Sequence, residues 1–217
     1  MKKLLFVITM IVSVSMLSCN PKDEDDDKNI IEISKANGEI NGHGYVNLGL
    51  PSGIKWATCN VGASSYEDNG NYYAWGEVEV KTEYTEYNSV TWGVNMKDVS
   101  GNAKYDVARA EWGSSWRLPN KAELEELDVE CTWVLVTKNN VRGYKVTGPN
   151  GNSIFIPIAG YFCDTTLYNE GTYGYLWSST PYENSVDYSY SLEFKSGGRK
   201  VLWGNRYDGY SIRPVTK

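Results

Sequence analysis

Histidine is almost absent from this chain of 217 residues, where His43 is the only one. Nucleophilic triads need an imidazole beside the nucleophile and His-based metal centres need more than one, so a serine triad is excluded and His43 reads as a surface or loop residue. Bases are also in short supply, with 21 Lys and Arg against 27 Asp and Glu for a net charge of -6. The clustered Lys and Arg that grip a phosphate backbone are missing, so no nucleic-acid partner is expected. No apolar run reaches the roughly 20 residues a membrane-spanning helix needs. Leucine is sparse, no segment repeats, and nothing marks a second domain.

What is present begins at the N-terminus. Lys2 and Lys3 precede an uncharged run over residues 4–17, followed by Ser18-Cys19-Asn20. A basic start, a short apolar core and a small residue before the cleavage point describe an export signal over residues 1–18. Met16-Leu17-Ser18-Cys19 resembles the lipobox of bacterial lipoproteins, which implies that Cys19 is the lipid attachment site, carrying fatty acyl (palmitate-type) chains. Several chains on one residue hold a protein on a membrane where a single chain binds only marginally.

Residues 19–42 read as a tether. The run Asp23-Glu24-Asp25-Asp26-Asp27 repels itself and has nothing to bury. An acidic run directly after a lipid cysteine also resembles the signal that sends Bacteroidetes lipoproteins to the outer face of the outer membrane, so surface display is expected. Loss of Lys2 and Lys3 with the leader takes the net charge from -6 to -8.

Residues 43–217 are expected to form one domain. Three cysteines remain there, Cys59, Cys131 and Cys163. In an oxidising compartment two of them can pair, with Cys59 to Cys131 preferred because each neighbours a tryptophan in a strand-like segment; three buried free thiols are the alternative. The composition favours strands and turns. Residues 106–112 read as a short helix stopped by Gly113, and Asn120-Lys121-Ala122-Glu123 as a capping box opening a second. Residues 132–137 and 143–147 pair across Lys138-Asn139-Asn140. Tyr188, Tyr190, Leu192 and Phe194 alternate with polar residues as in a half-buried strand, and Ser196-Gly197-Gly198 turns it into the next. Residues 81–101 show no period and read as a long surface loop.

Several segments are similar to the Fibrobacter succinogenes major paralogous domain family. They include Gly49-Leu50-Pro51-Ser52-Gly53, Tyr73-Ala74-Trp75-Gly76-Glu77, Trp116-Arg117-Leu118-Pro119, Trp177-Ser178-Ser179 and Ile212-Arg213-Pro214-Val215, in family order over nearly the whole domain. The resemblance implies an α+β, C-type-lectin-like fold with two short helices around a twisted, mostly antiparallel sheet and long loops. It names a domain, not an activity. The cysteine pair of formylglycine-generating enzymes and the calcium-binding motifs of sugar-binding lectins have no counterpart here. In Trp116-Arg117-Leu118-Pro119 the arginine is expected to support a turn through backbone carbonyls.

Residues 173–210 hold seven of the seventeen tyrosines. Rigid aromatic area beside adaptable polar groups is how recognition surfaces are built. Tyr182, Asn184, Tyr188, Trp203, Asn205 and Tyr207 are the candidate ligand-binding residues, whereas Trp177 and Tyr210 read as core. This end of the chain also resembles the variable region of retroelement-diversified proteins. The expectation is a lipid-anchored, non-catalytic binding domain that takes a glycan or protein at the cell surface, with no cofactor, metal or catalytic residue. The second reading is a structural or accessory subunit of a surface adhesive assembly. The last is an enzyme using carboxylates such as Glu77 and Asp164.

Overall fold

A computed structural model describes residues 32–113 and 115–217. The export signal, Cys19 and the acidic run lie outside the described residues. The strands are β1 (Gly38–Ile40), β2 (His43–Asn47), β3 (Lys55–Ala57), β4 (Thr132–Lys138), β5 (Val141–Thr147), β6 (Ser153–Pro157), β7 (Tyr161–Cys163), β8 (Thr166–Tyr168), β9 (Tyr173–Pro181), β10 (Tyr188–Lys195), β11 (Gly198–Asn205) and β12 (Val215–Thr216). The sheet residues thus begin at Gly38, within the segment assigned to the tether. Helix α1 is Lys121–Glu130.

Local chemistry sets the most regular elements. Asn120 opens α1 by accepting from the Glu123 amide at 2.9 Å, and the Glu123 carboxylate takes the Asn120 amide at 2.9 Å, satisfying two backbone donors that a helix start leaves free. Asn139 and Asn140, at φ 48° and 67°, form the tight turn between β4 and β5. Asparagine tolerates this left-handed region, and such turns match strand twist. Residues 106–112 do not form a regular helix. They make a wide π-helical turn, Ala108–Trp112, without a side-chain N-cap, and Gly113 at φ 64° ends it.

The strands form four small antiparallel sheets, ordered β1-β2-β3-β12, β11-β10-β9, β4-β5-β6 and β7-β8. With 38% strand, 10% helix and one helix of seven or more residues among the described residues, the fold is β-rich. This corrects the expected α+β, C-type-lectin-like fold. Two features overturn it: the first helix shrinks to the turn at Ala108–Trp112, and the strands divide among separate sheets where one twisted sheet was expected.

Two main apolar clusters fill the interior. One packs Leu124 and Leu127 of α1 against Val146, Ile154, Ile156, Leu192 and Phe194. The other is aromatic, with Trp75, Trp112, Trp116, Trp177 and Tyr210. Trp177 is fully buried and stacks on Tyr210 at 4.2 Å, and its indole N–H donates to Tyr73 O at 2.8 Å, so both are core as expected. His43 is not on a loop: it opens β2, half-buried, and stacks on Trp112 at 3.8 Å.

Charged groups pin the loops. Asp106, fully buried, accepts from the amides of Gly101, Arg109 and Leu118 at 2.7, 3.1 and 3.0 Å. Arg117 does support the entry to α1, but mainly through the Glu123 carboxylate at 2.6 and 2.7 Å, with a single carbonyl, Leu118 O, at 3.0 Å. Arg213 instead takes backbone carbonyls of Ala57, Thr58 and Phe155. The preferred Cys59–Cys131 disulfide is not formed, and all three described cysteines are free. Cys131 closes α1 inside the first apolar cluster, where burial pushes its thiol up to about 12, while Cys59 follows Thr58 beyond β3 and approaches that hydroxyl at 3.6 Å. A thiol held protonated in this way is a poor nucleophile.

Candidate functional site

The β10–β11 hairpin carries the site. Its register sets Tyr188 opposite Asn205, Ser189 opposite Gly204 and Tyr190 opposite Trp203. Alternation along a strand sends Tyr188, Tyr190, Trp203 and Asn205 to one face, and Ser189, Ser191, Leu202 and Gly204 to the other. The β9 partner slips register between Ser189 and Ser191. Residues 178–180 bulge out there, and the hydroxyls of Ser179 and Thr180 donate to Asp98 at 3.1 and 2.8 Å. That contact carries the chain toward Tyr182.

On the first face the rings touch one another. Tyr188 lies 4.5 Å from Trp203, and Tyr182 lies 6.1 Å from Trp203 and 6.4 Å from Tyr188. Trp92 extends the row, 6.1 Å from Tyr188 and 4.8 Å from Tyr207. Trp203 is 51% exposed. An indole left this open at the centre of an aromatic ridge is in position to stack on a flat apolar surface such as a sugar face or a partner side chain.

Arg206 holds the ridge in place. It is 1% exposed, and its Nε donates to Tyr188 O at 3.1 Å and Ser189 Oγ at 3.0 Å. Its Nη1 donates to Thr91 O at 3.1 Å and Val94 O at 2.7 Å, which fixes the loop that bears Trp92. The guanidinium also lies over the Trp75 ring at 4.4 Å. Burial lowers its pKa to about 10, so it stays charged at neutral pH. Beside it a cavity of about 440 Å³ is lined by Asn95, Met96, Tyr182, Asn184 and Arg206.

The opposite face of the same sheet borders a second cavity, of about 240 Å³, lined by Tyr161, Tyr175, Ser191, Glu193, Asp208 and Tyr210, with Trp203 and Asn205 at its β11 edge. Gly204 makes this packing feasible, since a Cβ there would sit 2.7 Å from the Tyr210 hydroxyl. Asp208 Oδ2 accepts from the Asn205 amide at 3.1 Å and the Tyr210 hydroxyl at 3.4 Å. Burial raises the Asp208 pKa to about 6.

Four of the six sequence candidates, Tyr182, Tyr188, Trp203 and Tyr207, therefore share the ridge, Tyr207 through Trp92. Burial, together with Asp208, pushes the Tyr207 hydroxyl up to about 12. Asn184 lines the neighbouring cavity. Asn205 turns its amide to Asp208, away from the ridge. Trp92 was missed because it lies in the aperiodic loop; the only available signal was a tryptophan in an otherwise polar stretch. The carboxylates of the enzymatic reading are apart in their roles. Glu77 pairs with Lys81 at 2.7 Å and caps the Val90 amide at 3.0 Å, whereas Asp164 sits in the β7–β8 turn at φ 51°. Among the described residues no three His, Cys, Asp or Glu side chains are grouped to hold a metal ion, and no helix is long and apolar enough to cross a membrane.

The sequence profile of a domain of unknown function (DUF8237) matches residues 132–215, from β4 to the first residue of β12. All six candidates fall within that match, while Trp92 falls outside it. No curated protein and no solved structure matches the chain.

Proposed function

We propose that this chain is a surface-exposed, lipid-anchored binding domain of the outer membrane that recognises a glycan or protein, without catalysis, through the ridge of Tyr182, Tyr188, Trp203, Tyr207 and Trp92. The observation that carries the reading is the half-exposed indole of Trp203 held between Tyr182 and Tyr188. Ordered aromatic rings lose little conformational freedom on binding, so their contact area converts well into affinity. The lipobox-like Met16-Leu17-Ser18-Cys19 and the acidic run support attachment at Cys19 and display outside the cell. The resemblance to the Fibrobacter succinogenes major paralogous domain supports a binding module of an exported protein.

The soluble domain, residues 32–217, screened against glycans and host surface proteins, is expected to show saturable binding that Trp203→Ala abolishes. Unchanged binding in both Trp203→Ala and Tyr182→Ala would move the site elsewhere. Protease added to intact cells is expected to cut the domain; an uncut chain would overturn surface display.

A second reading, an accessory subunit of an adhesive assembly, is favoured by one observation. The loop that carries Trp92 also exposes Val80, Tyr87, Val90 and Val94, at 54, 92, 65 and 43%. Apolar side chains gathered on one loop suit a protein neighbour. Co-purification in fixed stoichiometry, lost on Tyr87→Ser with Val90→Ser, would decide for this reading.

A further inference from the structure

From the cavity on the reverse face of the β9–β10–β11 sheet, whose edge Trp203 also borders, we infer a second binding site that takes a protonated primary amine on Asp208. Asp208 is 4% exposed, yet no ion pair reaches it among the described residues. The groups around it are neutral: the Asn205 amide, the Tyr210 hydroxyl and the Cys163 thiol. A buried carboxylate without a counter-charge is costly to keep and is strongly favourable to a cation that enters.

The remaining wall supplies acceptors. The hydroxyls of Tyr161, Tyr175 and Ser191 make no hydrogen bond with the described residues, and all three line the cavity with Asp208. An ammonium group has three N–H donors and no acceptor, which suits one carboxylate oxygen and a set of hydroxyl oxygens. The rings of Tyr161 and Tyr175 meet edge to face at 5.2 Å, and those of Tyr161 and Tyr210 at 5.9 Å, forming an apolar corner for the carbon that bears the nitrogen. Glu193 adds negative charge at the wall; of the two bases beside it, Lys195 pairs with Glu193 at 3.2 Å and reaches the Tyr173 hydroxyl, and Lys200 stands opposite Glu193 in the β10–β11 register, and neither forms an ion pair with Asp208. At about 240 Å³ the space lies below the roughly 300 Å³ of ordinary small-molecule pockets, which fits the end of a side chain or one sugar unit. A lysine side chain and an amino sugar both present this chemistry.

The test titrates the soluble domain with n-butylammonium and with glucosamine, and with 1-butanol and N-acetylglucosamine as uncharged counterparts, following the Tyr161 and Tyr175 ring resonances by NMR. Saturable shifts are expected with the amines and none with the uncharged compounds; the amine that binds more tightly identifies the source. Asp208→Asn should weaken amine binding at least tenfold while the domain stays folded, and Tyr161→Phe severalfold. Tyr182→Ala, on the ridge, should leave amine binding unchanged even where it abolishes ligand capture there. Equal binding of the uncharged compounds, or full binding by Asp208→Asn, would overturn the site.

Discussion

Asn205 donates its side-chain amide to Asp208 Oδ2 at 3.1 Å, three residues further along the chain. The bond ties the end of β11 to the turn that follows and sets a carboxylate against the back of the sheet whose front carries Trp203. The pairing is neutral to charged, so it orients Asp208 without compensating its charge.

A direct consequence is a pH-dependent stability cost. The Asp208 pKa is about 6 in the fold against 3.8 ordinarily, so the folded state holds its proton more tightly than the unfolded chain does. Stability is therefore lost as pH rises from near 4 to near 6 and stays low above that, by about 3 kcal/mol at most. Asp208→Asn, which keeps an acceptor for Asn205 and Tyr210, is expected to raise the denaturation midpoint at pH 7.5 and to leave it unchanged at pH 4. Urea unfolding of both proteins at the two pH values measures this.

Arg206→Met removes four hydrogen bonds, to Tyr188 O, Ser189 Oγ, Thr91 O and Val94 O. Hydrogen bonds from a charged donor are worth about 1.5–3 kcal/mol each and the buried acceptors are left unmet, so a loss of about 3 kcal/mol or more is expected. Tryptophan fluorescence should also shift red as Trp92 leaves Tyr207. Arg206→Lys cannot restore the fork and should rescue little.

Trp177 and Trp203 separate stability from recognition. Trp177→Ala empties a fully buried position and is expected to cost about 3–5 kcal/mol. Trp203→Ala, at a half-exposed position, should cost about 1 kcal/mol or less in thermal melts. An equal loss in both would make Trp203 a packing residue.

The capping box at α1 offers a purely local test. Asn120→Ala leaves the Glu123 amide without its acceptor and should cost about 1 kcal/mol. Asn120→Asp, which retains an oxygen and adds favourable charge at the helix start, should cost nothing.

What could be read in advance was what short stretches decide for themselves. The box at Asn120 and Glu123, the turn at Asn139 and Asn140 and the β10–β11 hairpin all follow from residues within a few positions of one another. The alternation of Tyr188, Tyr190, Leu192 and Phe194 gave the strand but not its second buried face. Ser189 and Ser191 are buried because Arg206 and the Tyr161 corner cover them, and both lie far from β10 in sequence or beyond its turn. Trp92 reaches the ridge through Arg206 bonds spanning more than a hundred residues, which no local pattern carries. The first helix shortened to a π-helical turn because Gly113, at φ 64°, ends it after Trp112.

The close approach at Gly204 has a practical corollary for protein engineering. Neighbouring positions in this hairpin have opposite tolerances: Trp203 looks outward and invites replacement, while any methyl at 204 would collide with Tyr210, and 206 bears the loop's anchor. A combinatorial library built on this scaffold should diversify 182, 184, 188, 203 and 207, and leave 204 and 206 as they are. Variants would then differ in what they capture and share one melting temperature.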